Sequence, residues 1–167
     1  MNDPRHDFSE EIAVQDQAAV AYQSLRYLKP HSRDYHLWWT RLMLENVSLD
    51  GRILDNGCGT GILLDLLKGR EVFGVDLSMK MLTAASEIDD RVVRGNSLEL
   101  PFPDRSFDLV LSRSLIHHLP DTEKGIAEIA RVLKPGGQAV FVDTNRSLLS
   151  DLPRRIANRG EHFSESH

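Results

Sequence analysis

Short apolar runs alternate with helix-like stretches along most of the chain after residue 50. Five of these runs are predicted strands: Arg52–Asn56, Glu71–Leu77, Arg91–Gly95, Phe107–Ser112 and Gln138–Asp143. The stretches between them carry apolar residues at helical spacing, as in Ile62–Lys68 and Asp121–Leu133. Strands joined by helix-sized connections run parallel, and their crossovers are right-handed. The pattern therefore predicts a doubly wound, mainly parallel α/β sheet.

The same pattern divides the chain into a body with two flanking segments. The body covers residues 35–147, after an N-terminal arm and helix (1–34) and before a short helix with a polar tail (148–167) in the same domain. An amphipathic helix is predicted over Tyr35–Val47. Its Trp38 and Trp39 either belong to the core, which is the favoured interpretation, or cover an acceptor pocket. Within the body, Ser78 is placed to cap a helix, and Lys134–Gly137 is predicted to end the last one.

Composition narrows the class of protein without naming a function. The 167 residues hold 20 Lys and Arg against 25 Asp and Glu, a net charge of −5, with 41% hydrophobic residues. This is typical of a single globular domain and argues against a broad nucleic-acid surface, so nucleic acid is an unlikely partner. The one cysteine, Cys58, fits a reducing compartment. With a polar N-terminus and no apolar run of roughly 18–20 residues, we expect a cytoplasmic protein with no membrane partner.

A glycine-rich turn follows the first predicted strand, in the segment Ile53-Leu54-Asp55-Asn56-Gly57-Cys58-Gly59-Thr60-Gly61. Glycine lets the backbone turn sharply and approach a ligand closely. The third glycine of a dinucleotide fingerprint would fall at Ile62, which disfavours a nicotinamide oxidoreductase. Asp55 would repel a pyrophosphate but can accept hydrogen bonds from an ammonium group. The turn therefore favours a cofactor that is positively charged at this end.

A second acidic residue, Asp76, ends the second predicted strand about 20 residues beyond the turn. Doubly wound folds place an acid here to bind the hydroxyls of a ribose. The alternative role is to cap the following helix, but Ser78 is already placed for that. We therefore expect Asp76 to face the ligand.

At these residues the sequence resembles the class I S-adenosyl-L-methionine-dependent methyltransferases, specifically the small-molecule group. Four blocks match in order: Ile53–Gly61, Gly74–Ser78, Gly95–Ser112 and Ser114–Val142. The resemblance implies a Rossmann-like fold and methyl transfer to a small-molecule acceptor. By position it implies the following cofactor-binding residues: Asp55, Gly57, Cys58, Gly59, Gly61, Asp76, Leu77, Asn96, Ser97 and Arg113.

The resemblance also implies what these residues do. The glycine-rich turn would pass under the methionine portion, with Asp55 on its ammonium. Asp76 would bind the ribose hydroxyls, and Leu77 would pack on the adenine. Asn96 stands where the family usually has Asp, so its neutral carbonyl oxygen would accept the adenine amino group about 1 kcal/mol less favourably. Cys58 would act through its backbone and small size, since no basic neighbour in sequence favours a thiolate.

The adjacent residues His117 and His118 follow the fourth predicted strand and are the catalytic candidates. Histidine suits proton transfer near neutral pH, so one of them could act as a general base if the acceptor is a hydroxyl or an acidic carbon. The alternative is a packing or capping role at the strand end. We expect no metal site, because neighbouring histidines point in different directions and no carboxylate cluster accompanies them.

The length leaves a second function open. The family has an antiparallel strand pair after the fifth strand, and residues 144–167 are too few and too poor in β-branched residues to supply it. We expect that pair to be absent, which would leave the fifth strand as an exposed edge that could form a homodimer. A shortened or non-catalytic S-adenosylmethionine-binding module is therefore the alternative to an enzyme. A tRNA-modifying enzyme is less favoured, because its support is the basic cluster Arg154, Arg155 and Arg159 alone.

Overall fold

The computed structural model describes residues 30–143, together with Ala13 and Asp16. Its helices and strands follow one another in the order that the sequence predicts. In chain order they are α1 (Pro30–Leu44), β1 (Arg52–Asn56), α2 (Ile62–Leu66), β2 (Glu71–Asp76), α3 (Met79–Ser86), β3 (Val92–Arg94), β4 (Phe107–Arg113), a 3₁₀ turn (Ile116–His118), α4 (Thr122–Val132) and β5 (Leu133–Val142).

The five strands form one sheet in the order β3-β2-β1-β4-β5. Every neighbouring pair is parallel, and Asn56 at the end of β1 is level with Val75 on one side and Ser112 on the other. The strands therefore all deliver their carboxyl ends to one edge. This confirms the predicted doubly wound, parallel sheet.

Successive residues of the central strand, β1, place their side chains in two separate apolar layers. Ile53 lies in a layer with the helix residues Leu63, Leu82 and Ala85, whereas Leu54 lies in a layer with Ile129 and others on the opposite face. Alternation across a pleated strand produces this division. Both faces of the sheet are thus covered near β1, which fixes the position of the strand end that carries the glycine-rich turn.

The first helix differs from the prediction in both position and orientation. It spans Pro30–Leu44 rather than Tyr35–Val47, and Asn46 beyond it has a positive φ of 63°. Trp38 is 57% exposed, so its favoured assignment to the core is wrong. The helix instead buries Thr40 and Met43. These lie about one turn apart, whereas Trp38 points from another side of the helix.

The last strand begins earlier than predicted. Helix α4 ends at Val132, close to the predicted end, but the residues 134–137 that we expected to form a stop lie within β5. Lys134 Nζ contacts both carboxylate oxygens of Asp108 at 2.9 and 2.8 Å, which joins this segment to β4. A register shift between Phe107 and Leu109 accommodates the extra length.

The C-terminal predictions lie outside the described residues. They are the short helix and tail over 148–167 and the missing antiparallel strand pair. Among the described residues, β5 pairs with β4 alone, and the homodimer through its other edge stays a prediction. No helix in the described part of the chain is both long and apolar enough to cross a membrane.

Candidate cofactor and acceptor site

The candidate site lies where the strand order reverses. β1 is followed in sequence by β2 on one side, and β4 pairs with it on the other. Ligands of doubly wound folds bind in the crevice outside the carboxyl ends of the strands at such a point. The glycine-rich turn between β1 and α2 occupies this edge.

The turn has a backbone that favours glycine at three positions. Gly57, Gly59 and Gly61 have φ values of 79°, 53° and 86°. A Cβ on Gly57 would lie 3.1 Å from the Leu115 side chain, and one on Gly61 would lie 3.2 Å from the Ala85 backbone. A Cβ on Gly59 would meet no atom of the described residues within 4 Å. Gly57 and Gly61 are therefore closed in by protein, whereas Gly59 faces open space where a ligand could approach.

Asp76 connects the turn to the tip of β2. Its Oδ2 accepts a hydrogen bond from the Gly59 backbone N–H at 2.9 Å, and its Oδ1 accepts one from the Ser78 N–H at 2.9 Å. Ser78 does cap α3, because its hydroxyl accepts from the Met81 N–H. The sequence suggested that this cap would leave Asp76 free of the backbone. Asp76 instead accepts hydrogen bonds from two backbone N–H groups. Each carboxylate oxygen keeps a further lone pair for a ligand hydroxyl.

Asp55 is a buried carboxylate with an unsatisfied oxygen. The residue is 1% exposed, and its Oδ2 has no hydrogen-bond partner among the described residues. Burial raises the pKa of Asp55 to about 7, against the opposing effect of the Arg113 guanidinium and with a smaller contribution from Asp76. A cation that binds here would supply the missing partner and stabilise the charged form.

Cys58 is a packed thiol rather than a nucleophile. It is 5% exposed, and its Sγ lies 2.9 Å from where a Cβ on Gly74 would stand. Burial raises the pKa of the Cys58 thiol, and the carboxylates of Asp55 and Asp76 raise it further. The geometry agrees with the expected role of a small residue that lets the turn approach β2.

The segment after β3 brings Asn96 and Ser97 to the same end of the sheet. Asn96 Oδ1 accepts a hydrogen bond from the Leu98 N–H at 2.9 Å, so it stabilises its own loop. Ser97 donates from its hydroxyl to Asn56 Oδ1 at 2.7 Å. Asn56 is 0% exposed, and its Nδ2 has no partner among the described residues. The Asn56–Ser97 pair was not predicted, although an amide at a buried strand position was a signal that it needed a partner.

The two histidines lie at the neighbouring strand end, and their rings are 4.0 Å apart, centroid to centroid. Leu115 packs toward Gly57, which places the segment after β4 beside the glycine-rich turn. His117 forms hydrogen bonds with Asp143 through both its backbone N–H and its ring Nδ1. Asp143 was not among the predicted site residues. Within the described residues there is no group of three or more His, Cys, Asp and Glu that could hold a metal ion.

Comparison with protein families gives one decisive match. Residues 54–141 match the family described as "Methyltransferase domain", which is more than half of the chain. The chain belongs to this family. Its cofactor is S-adenosylmethionine, whose ammonium and ribose fit the unsatisfied Asp55 oxygen and the acidic tip of β2.

Curated relatives are methyltransferases of small molecules. A demethylmenaquinone methyltransferase from Lactiplantibacillus plantarum is 36% identical over 126 residues, which cover 66% of this chain and 53% of the relative. The 27-O-demethylrifamycin SV methyltransferase from Amycolatopsis mediterranei is 39% identical over 103 residues, 55% of this chain and 38% of the relative. The methyltransferase domain described here thus spans about half the length of the demethylmenaquinone enzyme.

Solved structures agree with the fold. The PH0226 protein from Pyrococcus horikoshii superposes with a TM-score of 0.67 at 27% identity, covering 81% of this chain and 68% of that one. A SAM-dependent methyltransferase from Thermotoga maritima gives 0.60 at 26% identity, over 76% and 65% of the two chains. The Rossmann-like methyltransferase fold is therefore shared.

Proposed function

We propose that this chain transfers the methyl group of S-adenosylmethionine to a small-molecule acceptor. The observation that carries the proposal is the buried Asp55, whose Oδ2 has no partner among the described residues and whose pKa is raised to about 7. A permanently neutral ligand would not stabilise its charged form, but the ammonium of S-adenosylmethionine would. The open face of Gly59 leaves room for the methionine portion at the same strand end.

Each of the other predicted residues binds a different part of the cofactor in this proposal. Asp76 binds the ribose hydroxyls with the lone pairs that its two backbone hydrogen bonds leave, and Leu77 packs on the adenine. Asn96 accepts from the adenine amino group, beside Ser97. Arg113 is the last residue of β4, and its guanidinium opposes the rise in the pKa of Asp55, so it supports the carboxylate form that the ammonium requires.

The proposed class of acceptor is a small organic molecule. The printed names of the curated relatives are those of a demethylmenaquinone and a 27-O-demethylrifamycin SV methyltransferase. Neither name transfers an individual acceptor to this chain. The net charge of −5 also disfavours a polyanionic acceptor such as a nucleic acid. We expect the enzyme to work in the cytoplasm, where S-adenosylmethionine and reduced cysteine are both available.

Calorimetric titration tests the cofactor half of this proposal. We expect S-adenosylmethionine and S-adenosylhomocysteine to bind the wild type, and Asp55→Asn to lose at least tenfold in affinity because it removes the charge that faces the ammonium. Asp90→Asn is the matched control, since it removes an exposed carboxylate from the loop before β3. Equal binding by wild type and Asp55→Asn would overturn the site. Binding without methyl transfer to any acceptor would instead favour a non-catalytic binding module.

A further inference from the structure

Asp143 and His117 form a two-point contact. Asp143 lies outside the residues that match the family and was not among the predicted site residues. Asp143 Oδ2 accepts a hydrogen bond from the His117 backbone N–H at 3.0 Å. Its other oxygen, Oδ1, contacts ring atom Nδ1 of the same residue. The backbone bond fixes the carboxylate relative to the chain, and the ring bond then fixes the imidazole relative to the carboxylate.

The contact also decides which ring nitrogen carries the proton. An ionised carboxylate only accepts hydrogen bonds, so Nδ1 must donate. In the neutral imidazole the lone pair is then on Nε2, at the far side of the ring. The ring of His118 lies 4.0 Å from that of His117, centroid to centroid, and limits its rotation. The His117 side chain is 40% exposed, so the ring is not enclosed.

The position of this pair is set by the ends of β4 and β5. The Ser114 N–H donates to the Val142 carbonyl at 2.7 Å, which brings the residues after the two strands together. Leu115, two residues before His117, is the side chain that a Cβ on Gly57 would meet. The pair therefore lies at the same edge of the sheet as the glycine-rich turn, next to the cofactor half of the site.

We propose that His117 is the general base of the methyl transfer, that Asp143 is its positioning residue, and that the acceptor atom is a hydroxyl oxygen. This rests on the proposed function. The acceptor oxygen forms a bond to the methyl carbon while the carbon–sulfur bond breaks and its electron pair returns to sulfur. The hydroxyl proton passes to His117 Nε2 and then to water. A hydroxyl needs this base because its neutral oxygen is a weak nucleophile, whereas a neutral amine can attack before it loses a proton.

The tautomer of His117 tests the positioning role without any acceptor. In long-range ¹H–¹⁵N spectra of protein labelled at histidine, we expect wild-type His117 to carry its proton on Nδ1 at a pH where the ring is neutral. Asp143→Asn should shift it toward the Nε2–H form, and Asp90→Asn should not. A wild-type ring protonated on Nε2 instead would overturn the proposal.

Methylation of substituted phenols tests the base and the class of acceptor. With phenols that are un-ionised at the assay pH, we expect His117→Asn to lower kcat about 10²–10⁴-fold. Its amide can still donate to Asp143, and the Kd for S-adenosylhomocysteine should stay within twofold. With 4-nitrophenol, assayed at a pH above its own pKa so that it is largely ionised, the loss should fall below tenfold. Asp143→Asn should lower kcat in the same acceptor-dependent way, and Asp143→Glu should restore part of it.

The outcomes separate this inference from the proposed function. Equal losses with both kinds of phenol would overturn the role of His117 as base, because a phenol that has already lost its proton does not need one. Methylation of amine or thiol probes but of no phenol or alcohol would overturn the hydroxyl class. Failure to bind S-adenosylmethionine would overturn the proposed function itself, whereas the tautomer measurement would still decide the His117–Asp143 pair.

Discussion

Asp76 accepts a hydrogen bond from the backbone N–H of Gly59, a residue 17 positions before it in the chain. Its second oxygen accepts from the Ser78 N–H, so one carboxylate connects the glycine-rich turn to the beginning of α3. Both bonds need an acceptor, and an ionised carboxylate offers acceptors on both atoms and a donor on neither. Asp76 therefore shapes the turn before any cofactor is present.

Asp76→Asn should damage this arrangement although it keeps the shape of the side chain. One of the two backbone N–H groups would face an amide NH₂, which cannot accept its hydrogen bond. An unsatisfied polar group of this kind costs about 1–3 kcal/mol. We expect the free energy of unfolding in urea to fall by that amount and the Kd for S-adenosylhomocysteine to rise more than tenfold. Asp90→Asn should change neither, and an unchanged Kd in Asp76→Asn would contradict the role of Asp76.

Gly59→Ala and Gly74→Ala should separate binding from stability. The new Cβ at Gly59 meets no atom within 4 Å in the part of the chain that the structure describes, so we expect the cost to folding to be about 1 kcal/mol for a left-handed alanine. The same methyl group occupies space that we assign to the cofactor, so the affinity for S-adenosylhomocysteine should fall at least tenfold in Gly59→Ala.

Gly74→Ala should instead lower stability. At Gly74 the Cβ would lie 2.9 Å from Cys58 Sγ, and overpacking should cost about 1–3 kcal/mol. Melting curves with and without S-adenosylhomocysteine check both, and normal affinity in Gly59→Ala would contradict the open-face assignment.

Asp55 should make the free protein less stable as the pH rises. Its pKa is about 7 in the folded protein and 3.8 in its ordinary state, so the folded state holds a proton that the unfolded state has lost between these values. Stability then falls with rising pH across that window, by on the order of 4 kcal/mol in full, and levels off above pH 7. Asp55→Asn cannot ionise and should lack this slope. Urea unfolding at about pH 5 and about pH 8 measures the difference, and parallel profiles for the two proteins would refute it.

Asn96→Asp should strengthen cofactor binding. The new carboxylate would add charge assistance to the hydrogen bond from the adenine amino group, and its oxygen can still accept from the Leu98 N–H. We expect the Kd for S-adenosylhomocysteine to fall about fivefold, which corresponds to about 1 kcal/mol. The hypoxanthine analogue S-inosylhomocysteine lacks the amino group and should show no gain. The same gain with both ligands would mean that Asn96 does not contact the adenine.

The sequence was sufficient for the sheet and insufficient for several of its side-chain pairs. Local periodicity predicts the strands because each buries its own apolar residues, and the spacing of the glycines, Asp55 and Asp76 predicts a ligand edge. Asp143 is 26 residues from His117, and Ser97 is 41 from Asn56. Their pairing depends on which strands become neighbours, and no local pattern encodes that. The prediction that Trp38 is buried was wrong for a related reason. The apolar spacing of a helix does not determine which of its apolar residues faces the sheet.

The hydroxyl of Ser78 extends the site beyond the alternating strands and helices. It accepts from the Met81 N–H as the cap of α3, and it donates to the carboxylate of Asp16, a residue 62 positions upstream. Burial raises the pKa of Asp76, and the negative charge of Asp16 raises it further. The charges that act on the cofactor site therefore include a residue that precedes the sheet in the chain, Asp16. A fragment that began at Pro30 would keep every strand that the structure describes and yet present Asp76 in a less negative environment.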